Sequence, residues 1–270
     1  ILTTTWNQSG SINTESSITF DEYTPKIGSE STPVGCVALA IGQVLYYWGT
    51  QQVAAGVDIT VDSLSFSDSD SYSYSYNGIS MSIDADSTRY SFLSFDELND
   101  KLSTIEYDYD PDEIAALCFG IGIKVLSLYS VYETGAYVSD AYSFLASVGF
   151  VAIQRYDYLT YSSGYTITVN DESIIEDVLN GCPVLAYTSG HAIVVDGYDE
   201  ATGLFHCNIG WGGAYDGWYS LSSLPAGLGS IEEYISGIYI DSVAPDAPSG
   251  VTYTIFAAGY DGTANDVQFS

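Results

Sequence analysis

Apolar residues Val37, Ala40, Ile41, Val44, Leu45 and Trp48 recur at the i, i+3, i+4, i+7 spacing of one helix face. They predict a helix over residues 33–49, entered by a sharp turn through Pro33 and Gly35 and ended by Gly49. In "DYDPDE", Asp110 reads as an N-cap, Pro111 as the first helical residue and Glu113 as the third, ahead of the apolar run "IAALCFGIGI". "YVSDAYSFLASVGF" predicts a helix ending near Gly149. "NDESIIEDVLNG" predicts another, capped by Asn170 or Asp171 and stopped by Gly181. After it the period changes to two. "PVLAYTS", "HAIVVDGYD", "GLFHCNIGW" and "GWYSLSSL" are short strand-type runs split by turn residues. Helices first and an antiparallel sheet afterwards make an α+β chain.

Two segments lie outside this scheme. Residues 57–92 are rich in Ser, Asp and Tyr and predict a polar surface loop or hairpin excursion without EF-hand spacing. Residues 243–270 open with "VAPDAPSGVTYT" and read as a linker, or the start of a strand-rich appendage, after a domain spanning 1–242. The first 28 residues read as an irregular opening segment.

Composition narrows the function classes. Thirty-five Asp and Glu against five Lys and Arg give a formal charge of −30, which excludes nucleic acid and anionic membrane surfaces as natural partners. The apolar fraction of 46% and aromatic fraction of 14% exclude disorder despite that charge. No uninterrupted apolar run is long enough to span a bilayer. No basic-then-apolar leader opens the chain, so it reads as a mature form or catalytic part.

The four cysteines are Cys36, Cys118, Cys182 and Cys207. None forms a CxxC pair, which argues against zinc, and no cofactor or metal is called for. Cys118 and Cys182 are expected to be buried thiols. Cys36 follows a glycine at a helix start, where the helix dipole favours a thiolate. The chain has two histidines, so histidine chemistry must use His191, which opens a strand, or His206. Asn208 stands on the next strand, where a side-chain amide can hold an imidazole. Cys, His, Asn is the order of papain-like enzymes. Asp196 lies an odd number of residues from His191, so a regular strand turns the two to opposite faces and disfavours a Cys–His–Asp196 triad. His206 shares a face with Asn208 and reads as structure or cleft rim; Cys207 points the other way, into the core. Each residue also has a plain packing role open to it.

"GCVALAIGQVLYYWG", "SGHAIVVDGYD", "HCNIGWGGAYDGWYSL" and "TTTWNQSGSIN" together resemble the motifs of the streptopain family of secreted bacterial cysteine peptidases. They occur in the family's order, from about residue 4 to residue 222. The resemblance implies a papain-like two-layer fold and peptide-bond hydrolysis through a thioester acyl-enzyme. On it, Cys36 is the nucleophile, His191 the base and Asn208 the group orienting the ring. Gln8, with the Cys36 N–H, receives the oxyanion. Trp211, Gly190 and Gly210 line the cleft, with Trp211 shielding the His–Asn bond. The partners implied are a protein or peptide substrate and, in the precursor, an inhibitory N-terminal pro-segment; the location implied is secreted or cell-surface, in bacteria. Ile209 replaces a tryptophan of the family pattern and Thr32-Pro33-Val34-Gly35 replaces Thr-Gly, which puts the aromatic cover and the shape of the nucleophile loop in question. Two other readings stay open here: a catalytically silent relative that binds peptides or a surface partner, and an amidase or acyltransferase on the same fold.

Overall fold

The computed structural model describes residues 2–55, 64–148, 150, 154–157, 159–162, 165–168, 171–239, 256–258 and 264–266. Its helices are α1 (Cys36–Ala55), α2 (Phe95–Leu102), α3 (Pro111–Lys124), α4 (Val138–Ser147) and α5 (Glu172–Leu179). The strands that matter for the site are β1 (Tyr72–Tyr76), β2 (Ile79–Ile83), β3 (Leu128–Tyr129), β4 (Thr134–Gly135), β5 (Gln154–Asp157), β6 (Val184–Tyr187), β7 (Ala192–Asp199), β8 (Leu204–Asn208), β9 (Gly217–Tyr219) and β10 (Glu233–Ser236). The last six form one antiparallel sheet in the order β9-β8-β7-β6-β10-β5.

Strand alternation divides the interior in two. Leu185, Ala192, Val194 and Ile235 face the larger core, built with α1, α3 and α4. Their neighbours Ala186, Ile193, Val195 and Tyr234 face a smaller core closed by Ile174 and Val178 of α5. Each fully buried aliphatic or aromatic side chain contributes roughly 1.5–3 kcal/mol, so the two cores hold the sheet rigid from both faces. α1 is the central helix of the larger core and packs directly on β7. This is the α+β arrangement of helices on an antiparallel sheet that the sequence predicts.

The α1 stripe is buried as predicted, but the helix runs past Gly49 to Ala55. Gly49 is there for packing: a Cβ at this position would lie 2.4 Å from the Tyr107 ring. Asp110 caps α3, accepting from the N–H groups of Asp112 (2.7 Å) and Glu113 (3.4 Å). Gly181, at φ +76°, follows α5 as predicted. Asp171 precedes α5 without a side-chain cap bond, and Asn170 and Gly149 lie outside the described residues. The excursion at 57–92 contains the hairpin β1–β2, turned by Asn77 and Gly78 at positive φ; 57–63 lie outside the description. So does most of 243–270, within which 256–258 pairs antiparallel with 264–266. Among the described residues no helix is long and apolar enough to cross a membrane.

The opening segment is irregular, as expected, but its burial alternates where it meets the sheet. Leu2, Thr4 and Trp6 are buried while Thr3 and Thr5 are exposed. Every second residue is bonded to the elements that carry the predicted site. Leu2 N–H donates to Asp196 (2.5 Å), the Thr4 carbonyl accepts from Asn208 Nδ2 (2.8 Å), the Trp6 carbonyl from Gly212 N–H (2.9 Å), and the Gln8 carbonyl from Val34 N–H (2.9 Å). Trp6 is the anchor, fully buried against Phe20 and Tyr46.

Candidate active site

Cys36 is the first residue of α1, so the N–H groups around it have no partners inside the helix. Gly35 supplies the turn into it at φ +93°, and its carbonyl takes the first helical bond, from Leu39 N–H (3.0 Å). Only glycine fits: a Cβ here would lie 2.8 Å from the Thr134 carbonyl oxygen. Val34, buried and tied to Gln8, fixes the other side of the loop, so the added Pro33-Val34 is absorbed as packing.

His191 precedes β7 and is buried. Its Nε2 lies 2.8 Å from the Ile209 carbonyl oxygen. A carbonyl only accepts, so Nε2 carries the hydrogen and the lone pair of the neutral ring is on Nδ1. The Trp211 ring packs on the imidazole, with centroids 5.0 Å apart, and Tyr215 backs the indole. The aromatic cover put in question by Ile209 is therefore present, from Trp211. Ile209 itself is buried on the α5 side of the sheet.

The main-chain N–H groups of Ala192 (the residue after His191), Val37 and Cys36 itself act on the Cys36 thiol to lower its pKa. This brings the nucleophile loop and the histidine strand together at one point. The sequence predicts a depressed thiol pKa at the helix start. The structure differs: burial is the largest influence and raises Cys36 above its ordinary value, and the three N–H groups only partly oppose it. Burial likewise lowers His191, with the Ile209 carbonyl acting in the opposite direction. Each group alone is held toward its neutral form.

Asn208 shares the site face of the sheet but does not bond the imidazole. Its Oδ1 accepts from Gln43 Nε2 (3.1 Å) and Gly210 N–H (3.1 Å), and its Nδ2 donates to Thr4. The ring-orienting bond expected from Asn208 is made by the neighbouring backbone carbonyl instead. The Gln8 backbone lies beside Val34, two residues before Cys36, with Gln8 partly buried. Gly190 is exposed with open space at its α-carbon; Gly210 is buried, its positive φ turning the chain against Leu39. Asp216 closes the region from below, accepting from Ile209 N–H (2.7 Å). In the sequence, Asp216-Gly217 reads only as a tight turn, which gives no hint of this bond. Cys118, Cys182 and Cys207 are buried free thiols, and burial pushes Cys182 up to about 12.

Asp196 falls at a bulge, where the β7–β8 register shifts between Val195 and Gly197. It accepts from His206 Nδ1 (2.5 Å) and from Leu2, away from His191. The carboxylate raises the His206 pKa above 6.5. Stabilisation from this pair is therefore complete below pH 6.5 and is lost as pH rises through the higher folded-state pKa. A charge-assisted hydrogen bond contributes about 1.5–3 kcal/mol. Wild type is expected to out-melt His206→Gln by several degrees at pH 5.5, with the gap narrowing toward pH 9, in parallel thermal scans. A gap independent of pH would show that the pair is not ionic.

The sequence profile of the Peptidase C10 family matches residues 13–219. Active wild-type interpain A, a cysteine protease of Prevotella intermedia, is 25% identical with a TM-score of 0.54, covering 88% of this chain and 93% of that one. A prointerpain A fragment from the same organism is 23% identical with a TM-score of 0.55, covering 88% and 71%. No curated protein matches. With three quarters of its length under the family profile and a papain-like fold shared with an active protease, the chain belongs to the Peptidase C10 (streptopain) family and is a cysteine endopeptidase.

Proposed function

We propose that Cys36 and His191 are the reacting pair of this peptidase. The observation that carries the assignment is the bond from His191 Nε2–H to the Ile209 carbonyl, because it leaves a basic lone pair on Nδ1. The Cys36 proton passes to Nδ1 as sulfur attacks the scissile carbonyl. The oxyanion is received by the Cys36 N–H and the Gln8 side-chain amide. The imidazolium then protonates the leaving amine, and a thioester remains on Cys36. Water, deprotonated by the same nitrogen, releases the acid and restores the thiol.

Moving a proton from Cys36 to His191 leaves their summed charge unchanged, and the attraction between the two ions offsets part of the burial penalty that each would meet alone. Gly190, open at the surface, and Trp211 border the path of the substrate backbone. The substrates are proteins or peptides, and the charge of −30 disfavours acidic ones. The proform of interpain A among the similar structures supports an inhibitory pro-segment in the precursor, and the resemblance to the streptopain family implies a secreted or cell-surface bacterial protein. Residues 243–270 then form a linker or appendage to the catalytic domain of 1–242.

Alkylation rate against pH tests the pair. A lone Cys36 thiol, raised above 9.0 by burial, would react only at alkaline pH. With His191 as proton acceptor, limiting iodoacetamide is expected to label Cys36 almost alone, with the midpoint of the rate's rise below pH 6.5, since burial lowers His191. In His191→Ala the curve should move above pH 9. Peptide mapping that finds label spread over the four cysteines, or an unshifted curve in His191→Ala, would overturn the assignment.

A further inference from the structure

A carbonyl can orient an imidazole only if its own peptide is held. The Ile209–Gly210 peptide is held from its far side, where Gly210 N–H donates to Asn208 Oδ1 (3.1 Å). That oxygen also accepts from Gln43 Nε2 (3.1 Å), and Gln43 Oε1 in turn accepts from the Thr4 hydroxyl (2.7 Å). Asn208 Nδ2 completes the ring of bonds on the Thr4 carbonyl (2.8 Å). Thr4, Gln43 and Asn208 are all buried, Gln43 to 1% exposure. Gln43 lies about two helical turns beyond Cys36 on α1, with Val44 and Ile41 fully buried beside it. A polar amide there is costly unless satisfied, and among the described residues its partners are Thr4 and Asn208.

We propose that Gln43 and Thr4 are positioning residues for His191. Together they fix the amide of Asn208, Asn208 fixes the Ile209–Gly210 peptide, and that carbonyl fixes the tautomer and angle of the ring relative to Cys36. This gives Asn208 a role through its own backbone neighbour, and it couples the opening segment to catalysis. The proposal rests on Cys36 and His191 being the reacting pair.

Thr4→Val keeps the shape of the side chain and removes the hydroxyl; Gln43→Met removes both polar atoms at similar length; Thr4→Ser restores the hydroxyl. In Thr4→Val and Gln43→Met, kcat is expected to fall about tenfold with KM little changed. Because the Ile209 carbonyl stabilises the imidazolium, the pH profile should move to lower pH, and Thr4→Ser should bring both back. The 15N imidazole shifts of His191 should report hydrogen on Nε2 in the parent, with the tautomer mixed in Thr4→Val. A lowered melting temperature with unchanged kcat and pH profile would overturn the proposal, leaving the network a stitch between segment and sheet. Hydrogen on Nδ1 in the parent would also overturn it, and needs no variant that folds. An unreactive Cys36 in the parent would instead defeat the reacting-pair assignment, and the tautomer would still decide this proposal.

Discussion

Cys36→Ser is expected to melt at the same temperature as the parent and to hydrolyse peptides at least about 10⁴-fold more slowly. The first half follows from the site. Serine is close to cysteine in size and shape, and it stands at a helix start where an oxygen is as well accommodated as a sulfur. The second half follows from the base. Burial makes His191 a weaker base than a free imidazole, adequate for a thiol proton but badly matched to a hydroxyl proton. His191→Ala should lose a comparable factor, and the double variant little more, because the two groups act as one unit. Steady-state kcat/KM on a peptide substrate, with thermal melts alongside, measures both halves. A Cys36→Ser protein retaining even a tenth of parental activity would show that another group is the nucleophile.

The same site shows which features a sequence displays and which it conceals. The stripe from Val37 to Trp48 and the alternation through β6, β7 and β8 are statements about side chains, and both cores follow them. Strand parity placed Asn208 and Cys207 on opposite faces, and they are. The register that sets Val194 opposite Asn208 and Val195 opposite Cys207 leads Asp196 across from His206, and the bulge falls only at that point. α2 went unread although Ser94 and Glu97 form a capping box at its start, a signal present in "SFDEL". Gly49 was read as a stop because glycine usually punctuates; only the fold shows Tyr107 seated on it. The largest gap concerns His191. Its partner is a main-chain carbonyl, and every residue has one, so no choice of amino acid could advertise it. What the sequence does carry is the cost of holding that carbonyl: an amide at Gln43 in the apolar face of α1, and a buried Asn208. Similarly, the helix-start argument for a thiolate was correct about the N–H groups. It omitted the burial that outweighs them, a quantity set by the fold rather than by the neighbours of Cys36 in the chain.

Gly35→Ala should be the most damaging small change outside the reacting pair. At φ +93° an L residue costs about 1–2 kcal/mol. The new Cβ would in addition meet the Thr134 carbonyl oxygen at 2.8 Å and Thr134 Cγ2 at 2.9 Å. Relieving such overpacking typically costs a further 1–3 kcal/mol. The sum, roughly 2–5 kcal/mol, lies below the stability of an ordinary domain, so the variant should fold and melt roughly ten degrees lower. Relief can come only by moving the nucleophile loop or β4. Since Cys36 is the next residue, moving the loop carries the sulfur away from the Ala192 amide and from His191. A displacement near 1 Å costs about 100-fold in rate, so kcat/KM should drop by about that factor, and Cys36 alkylation at neutral pH should slow with it. Adding Thr134→Ala removes Cγ2 but not the main-chain oxygen, so the double variant should recover part of the melting temperature and little of the activity. Full recovery would mean that the side chain alone sets the limit. A Gly35→Ala protein equal to the parent in rate and melting would mean that the turn before Cys36 accepts a Cβ, and that the glycine preceding the nucleophile is not what holds the sulfur in place.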